Sequence, residues 1–138
     1  SSNLFLKTSN RFSKGVNIHE QIGFDLVRII EEKGIDEKLL NSKLRGYIES
    51  MLEKNIDHLV LGCTHYYFLK KLLKNMLPKG IKILDSSKAV TKRIQILLKD
   101  YDIASNTLKS KNIFLYTGND LVIKQFLSNR NEISKINI

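Results

Sequence analysis

The spacing of apolar residues along the chain alternates between a helical period and short continuous runs. Apolar residues three and four positions apart lie on one face of a helix, whereas short apolar runs between polar turns are typical of buried strands. The polar stretch 101–111 is predicted to be a connection. The pattern predicts helices over 21–33, 36–54, 65–77, from the 85–87 cap to about 99, and over 120–128, and strands over 15–19, 57–61, 81–84, 113–116 and 133–138.

This alternation predicts an α/β fold of mostly parallel sheets with flanking helices. Gly34 is expected to stop the first of these helices, and Asp36 to cap the second. Three strands end in short polar turns, at 62–65, 85–87 and 117–119. Ligands of such folds bind outside the carboxyl ends of the strands, so chemistry is expected at that edge.

The first of these turns, Gly62-Cys63-Thr64-His65, carries reactive groups between a strand and a helix. Gly62 permits a sharp turn. The positive end of the helix dipole favours a thiolate at Cys63, and backbone N–H groups there can bind a substrate carboxylate. Thr64 adds a hydroxyl, and His65 is placed to exchange a proton with Cys63.

Simpler interpretations of the same residues stay open at this point. A lone cysteine after a strand is more often an inert core residue, and Thr64 can be a plain N-cap. His65 can be a solvated residue at the start of the helix, while His19 and His58 are expected to be structural. One cysteine and three scattered histidines show no metal-ligand spacing.

Composition and charge limit the classes of function that the chain can have. The net charge of +9 is spread over scattered lysines without a block of five like charges, which favours solvated helix faces over a nucleic-acid surface. The single cysteine rules out an intramolecular disulfide and indicates a reducing, cytoplasmic compartment. No apolar run reaches the roughly 20 residues of a membrane span, and no signal peptide is apparent. The chain starts without methionine, so its first residue is not expected to be a gene start.

The string from Ile56 to Tyr66 closely resembles the "VLGCTHYP" segment of glutamate racemases. Tyr67 departs from the proline of that motif, and proline suits a first helical turn because its missing N–H needs no partner there. Other stretches resemble the same family, namely 2–7 the residues after its "GT" turn, 26–31 its "LVPLIE" segment, 77–86 its "LP…LIDS" stretch and 114–119 its "F..TGD" stretch.

The resemblance implies an amino-acid racemase that interconverts L- and D-glutamate for peptidoglycan synthesis, without cofactor or metal. Two cysteines flank the α-carbon in that family. Cys63 matches the second of them, Thr64 and His65 match substrate-binding residues, and His65 also assists the cysteine. Glu31 matches the carboxylate that pairs with this histidine, with the adjacent Glu32 as the alternative.

The resemblance also implies two α/β lobes with glutamate between them. Residues 1–84 are expected to form part of one lobe and residues 85–138 part of the other. The family's "DSGVGG"-like, "YG" and "ACNTA" segments, which hold the other cysteine, are not found in the sequence. The expected partner is therefore the missing N-terminal half, without which the chain is expected to be inactive and to expose apolar faces. Homodimers are common in the family.

Two further functions remain as alternatives. A non-enzymatic basic module that binds nucleic acid or another anionic partner would show strongly salt-dependent binding that does not need Cys63. A cysteine-dependent hydrolase would form an acyl adduct on Cys63.

Overall fold

A computed structural model describes residues 3–34, 36–107, 112–118, 120, 123–124, 127 and 132–137. Helices and strands alternate through most of this part of the chain. They are α1 Asn3–Phe12, α2 Leu26–Lys33, α3 Glu37–Leu52, β1 His58–Val60, a 3-10 helix Thr64–Leu69, α4 Lys70–Met76, β2 Lys82–Leu84, α5 Ser87–Asp100, β3 Ile113–Tyr116 and β4 Glu132–Lys135.

The described strands form two parallel pairs. β1 pairs with β2 in the register Leu59 to Ile83, and β3 pairs with β4 in the register Phe114 to Ile133. The predicted α/β class, with small parallel sheets and flanking helices, is confirmed. One pair lies within 1–84 and the other within 85–138, but the predicted division into lobes stays a prediction.

The hydrophobic core lies on one side of the β1–β2 pair. Leu59 and Leu61 point into it, while Val60 between them is 66% exposed. Burial of this apolar surface provides the main favourable contribution to folding. The buried residues are Leu26, Ile29, Ile30, Leu40, Leu44, Ile48, Leu59, Leu61, Leu69, Leu72 and Leu73.

The junction between α2 and α3 follows the sequence prediction closely. Gly34 caps α2 at φ 68°, a left-handed conformation that costs glycine little, and its N–H donates to the carbonyl of Ile30. The Asp36 carboxylate accepts a hydrogen bond from the Leu39 N–H at 3.0 Å and caps α3.

Two predictions about elements need correction, and one helix was missed. Residues 15–19 form no strand, because no ladder partner lies beside them in the described structure. The helix α1 was not predicted, and its stretch contains only four apolar residues, Leu4, Phe5, Leu6 and Phe12. The single helix predicted over 65–77 is a 3-10 helix followed by the shorter α4. Most of the predicted helix 120–128 lies outside the described residues.

Apolar surface is extensive outside the core. Phe12 on α1 is 72% exposed, and Val90 and Ile94 on α5 are each 51% exposed. Neither α1 nor α5 has a buried residue among those described. The exposed apolar faces expected from the sequence are therefore present. No helix in the described part of the chain combines the length and hydropathy of a membrane span.

Candidate active site

Cys63 lies just beyond the carboxyl end of β1. The ladder continues to Leu61, whose N–H donates to the Leu84 carbonyl at 2.8 Å. Cys63 is extended at φ −125° and ψ 141°, and its carbonyl accepts a hydrogen bond from the Tyr66 N–H at 3.1 Å as the 3-10 helix begins. The strand therefore presents the thiol at the edge where parallel sheets bind ligands.

Cys63, His65 and Glu31 form a continuous line of polar groups. The Cys63 Sγ lies 3.8 Å from the His65 Nδ1, and the His65 Nε2 lies 2.5 Å from the Glu31 Oε1. The two nitrogens of one imidazole thus face a thiol and a carboxylate. An imidazole that donates from Nε2 to a carboxylate presents a lone pair at Nδ1, so His65 can accept a proton from the thiol.

These three groups are accessible. Cys63 is half-buried, and the side chains of His65 and Glu31 are 30% and 46% exposed. A sulfur sealed in hydrocarbon would be inert, whereas Cys63 is open to a small molecule and lies beside a base.

The geometry distinguishes Glu31 from its neighbour. Glu31 pairs with His65, while the Glu32 Oε2 lies 3.3 Å from the Arg28 Nη1 on the outer face of α2. Adjacent helical residues point about 100° apart, so only one of the two glutamates can face the 3-10 helix. Of the two alternatives from the sequence, Glu31 is the residue that contacts the histidine.

The remaining residues of the motif occupy different positions. Thr64 is exposed at the start of the 3-10 helix, and the N-cap of that helix is Cys63 instead of Thr64. Tyr67, which replaces the proline of the racemase motif, is 49% exposed. Its ring packs edge-on against Phe68 and lies under the Lys70 ammonium at 5.7 Å.

Tyr66 is a site residue that the sequence did not single out. Its hydroxyl donates to the Gly23 carbonyl at 3.2 Å and ties the segment before α2 to the 3-10 helix. Burial raises the pKa of this phenol above its usual 10.0, and the nearby Cys63 and Tyr47 raise it further. An added Cβ at Gly23 would lie 2.6 Å from the Tyr66 hydroxyl, so a larger residue there would require the Tyr66 side chain to shift.

The other histidines lie elsewhere. The His58 Nδ1 lies 3.0 Å from the Asp57 carboxylate, and this hydrogen bond lowers the pKa of Asp57. His58, which was expected to be structural, therefore pairs with its sequence neighbour. Across the residues with described positions, no group of three His, Cys, Asp or Glu side chains is arranged to hold a metal ion.

Asp85 connects the carboxyl end of β2 to two helices. Its Oδ2 lies 2.5 Å from the Lys70 Nζ, and its Oδ1 accepts hydrogen bonds from the N–H and the hydroxyl of Ser87. The Lys70 hydrogen bond first, and those from Ser87 next, lower the pKa of Asp85 from 3.8 to about 2. Asp85 is therefore an ionised carboxylate just before the Ser86 N-cap of α5, and it satisfies the first N–H of that helix.

This shift predicts a particular loss of stability in acid. Because the folded state lowers the pKa of Asp85 from 3.8 to about 2, its contribution is complete above about pH 4 and disappears as pH falls through 2. We expect Asp85→Asn to destabilise the protein at pH 5 but not near pH 2, as measured by urea unfolding at each pH. Lys70→Met should reduce the same difference. An Asp85→Asn effect that does not depend on pH would contradict this interpretation.

Comparison with known proteins gives the same class of fold. No protein-family model matches the chain. The solved glutamate racemase isoform RacE1 from Bacillus anthracis superposes with a TM-score of 0.79 at 20% identity, covering 99% of this chain and 53% of that one. The chain therefore has the α/β fold of part of a racemase.

The sequence relatives of the chain are also glutamate racemases. The glutamate racemase of Pseudomonas entomophila is 31% identical over 123 residues, covering 89% of this chain and 46% of the relative. That of Ectopseudomonas mendocina is 34% identical over 99 residues, covering 72% of this chain and 38% of the relative. The predicted resemblance is confirmed: the chain is homologous to the C-terminal part of glutamate racemases, which are isomerases. It spans about half the length of these relatives or less.

Proposed function

We propose that the chain forms one side of a glutamate racemase active site, with Cys63 exchanging the α-proton of glutamate. The observation that carries this proposal is the line from the Cys63 sulfur through His65 to Glu31, at the carboxyl end of β1. A thiol, an imidazole and a carboxylate in contact are suited to moving one proton reversibly. The proposed substrate, L- or D-glutamate, is inferred from the homology to glutamate racemases.

In the proposed reaction, His65 first accepts the thiol proton and leaves Cys63 as a thiolate. The thiolate then removes the proton from the glutamate α-carbon, so that an S–H bond forms as the C–H bond breaks, and the electron pair is left on a planar carbanion. A second acid on the opposite face delivers a proton to that carbon and inverts it. In the reverse direction, the Cys63 thiol is the donor. Glu31 orients the imidazole, and Thr64 contacts the substrate.

The opposite face requires a group that these residues do not provide. The sequence contains one cysteine, Cys63. The glutamate racemases that the chain resembles use two catalytic cysteines. The chain spans 46% of the Pseudomonas entomophila relative, so we propose that the other cysteine comes from the N-terminal part of a racemase. On this proposal the reaction needs no cofactor or metal, and this half alone is inactive.

The biological setting follows from the product. D-Glutamate is a component of peptidoglycan, so we propose a role in cell wall biogenesis and cell shape, in the cytoplasm where L-glutamate is available. Residues 1–84 and 85–138 would contribute to different lobes of the assembled enzyme. The assembled enzyme would form homodimers, which are common in the family.

Complementation tests the proposal directly. The N-terminal part of the Pseudomonas entomophila glutamate racemase, which this chain does not match, is co-expressed with the chain. We expect the pair to convert L-glutamate to D-glutamate and each part alone to be inactive, as measured by chiral chromatography. A folded pair without racemisation would count against the proposal.

Replacing the carboxylate beside His65 tests how the thiol is assisted. We expect Glu31→Gln to lower the racemisation rate of the pair by about tenfold or more, because the imidazole loses its orienting charge. Glu32→Gln is the matched control, since Glu32 pairs with Arg28 instead. The pH–rate profile should also change for Glu31→Gln alone. Equal effects of the two variants would show that Glu31 has no specific role in assisting the thiol.

A further inference from the structure

The 3-10 helix that carries His65 is attached to both strands of the β1–β2 pair. At its start, Cys63 follows the carboxyl end of β1, and its carbonyl accepts the Tyr66 N–H at 3.1 Å. At its end, the Lys70 Nζ lies 2.5 Å from the Asp85 Oδ2, just beyond the carboxyl end of β2. β1 and β2 are parallel neighbours, so these two attachments lie at the same edge of the sheet.

A 3-10 helix depends on such attachments more than an α-helix does. Its hydrogen bonds have poorer geometry, and runs longer than about four residues are uncommon. The helix here has 6 residues; Leu69 at its end is buried in the core, whereas Thr64 and Tyr67 are exposed. Tyr67 also stands where the racemase motif has proline, whose ring would fix the backbone angle φ. The rigidity of this helix must therefore come from side-chain contacts.

Tyr67 contacts Lys70 through both the backbone and the side chain. The Lys70 N–H donates to the Tyr67 carbonyl, and the Lys70 ammonium lies 5.7 Å from the centre of the Tyr67 ring. Side chains three residues apart eclipse one another in a 3-10 helix, which places the ammonium over the ring. The negative face of the ring attracts the cation. The edge-on contact with Phe68, with ring centres 6.2 Å apart, limits how the Tyr67 ring can turn.

The Lys70 ammonium is held on its other side by Asp85. The two side chains are only 31% and 9% exposed, so salt screens this ion pair less than it screens a fully exposed one. Asp85 is itself fixed, because it accepts hydrogen bonds from the N–H and the hydroxyl of Ser87. The lysine therefore lies between an immobile carboxylate and the ring of Tyr67.

We infer that Tyr67 is a positioning residue for the candidate site. Its ring keeps the Lys70 ammonium on Asp85, and this ion pair fixes the 3-10 helix so that the His65 Nδ1 faces the Cys63 sulfur at 3.8 Å. Tyr67 transfers no proton itself and acts through Lys70. The consequence for racemisation rests on the proposed function, whereas the consequence for the thiol does not.

Alkylation of the thiol tests the inference on the chain by itself. Cys63 is the single cysteine of the sequence, so uptake of iodoacetamide, followed by mass spectrometry, reports on that sulfur alone. The readout is the rate near pH 7 divided by the rate near pH 10, where cysteine thiols are ionised without help from a base. This ratio cancels any change in access to the sulfur.

Tyr67→Ala should lower this ratio by about two- to fivefold, as expected for the loss of one accessible contact between a cation and a ring. His65→Asn should lower it at least as much, because the imidazole itself is removed. Tyr67→Phe keeps the ring and should restore the ratio. Tyr101→Ala is the matched control, since Tyr101 is 71% exposed at the end of α5, and it should leave the ratio unchanged. Circular dichroism at each pH checks that every variant is folded.

A second background shows whether Tyr67 acts through the lysine. Lys70→Gln removes the charge over the ring but can still donate a hydrogen bond to Asp85. In the Lys70→Gln chain, Tyr67→Ala should have no further effect on the ratio, because the ring has no cation left to hold. An unchanged ratio in Tyr67→Ala, the same loss in Tyr67→Phe or Tyr101→Ala, or the same loss with and without Lys70 would overturn the inference.

Racemisation by the complemented enzyme separates this inference from the proposed function. There Tyr67→Ala should lower kcat by about two- to fivefold with little change in KM, because the ring acts on the proton-transfer geometry. If the enzyme racemises but Tyr67→Ala keeps the alkylation ratio, the positioning role is excluded and the catalytic proposal stands. If the ratio falls as expected but the assembled pair does not racemise, the positioning role stands and the catalytic proposal is excluded.

Discussion

Cys63→Ala is expected to lower racemisation by the complemented enzyme by about 10²- to 10⁴-fold, the usual contribution of one general acid–base group. The loss should appear in both directions, because the same sulfur removes the proton from one enantiomer and returns it to the other. The rate is measured by chiral chromatography from each pure enantiomer. Cys63 is half-buried and outside the core, so the melting temperature should change little.

Two histidines offer a matched control for this result. His65 and His58 each lie beside a carboxylate, but in this pair only His65 also contacts the sulfur. His65→Asn should therefore reduce racemisation strongly and His58→Asn should not. Full activity of Cys63→Ala would exclude Cys63 as the proton carrier, and an equal loss for both histidine variants would exclude a specific role for His65.

Ile30→Ala is expected to cost about 2–5 kcal/mol of unfolding free energy, the usual range for removing a large buried aliphatic side chain. Ile30 is fully buried on α2, next in sequence to Glu31. Urea unfolding of the chain by itself measures the change. Ile94→Ala is the matched control, because Ile94 is 51% exposed on α5, and should stay within about 0.5 kcal/mol. A similar cost for both would mean that the core is not centred on α2 and α3.

The sequence predicted those elements whose signals are local. Gly34 and Asp36 mark a helix end and a helix start through backbone conformation and capping, and both act within a few residues. β1 and β2 could be predicted because short apolar runs ended at polar turns. Residues 15–19 show the limit, because a strand also needs a neighbour, and the sequence pattern does not show whether that neighbour is present.

In the candidate site too, some features could be predicted from the sequence and others could not. Cys63 and His65 are two residues apart, so the motif alone indicated that they are close together. The choice between Glu31 and Glu32 depended on how α2 packs against the 3-10 helix, which only the tertiary structure decides. The contact of Tyr66 with Gly23 spans 43 residues and gave no local signal beyond the presence of a glycine.

The most direct test of the central claim follows the α-proton of glutamate in heavy water by proton NMR. The complemented enzyme with Cys63 intact should replace that proton with deuterium, starting from either enantiomer. The Cys63→Ala enzyme, shown to be folded and assembled, should lose most of the exchange that begins from the enantiomer deprotonated on the Cys63 face. Undiminished exchange from both enantiomers after removal of this sulfur would contradict the account.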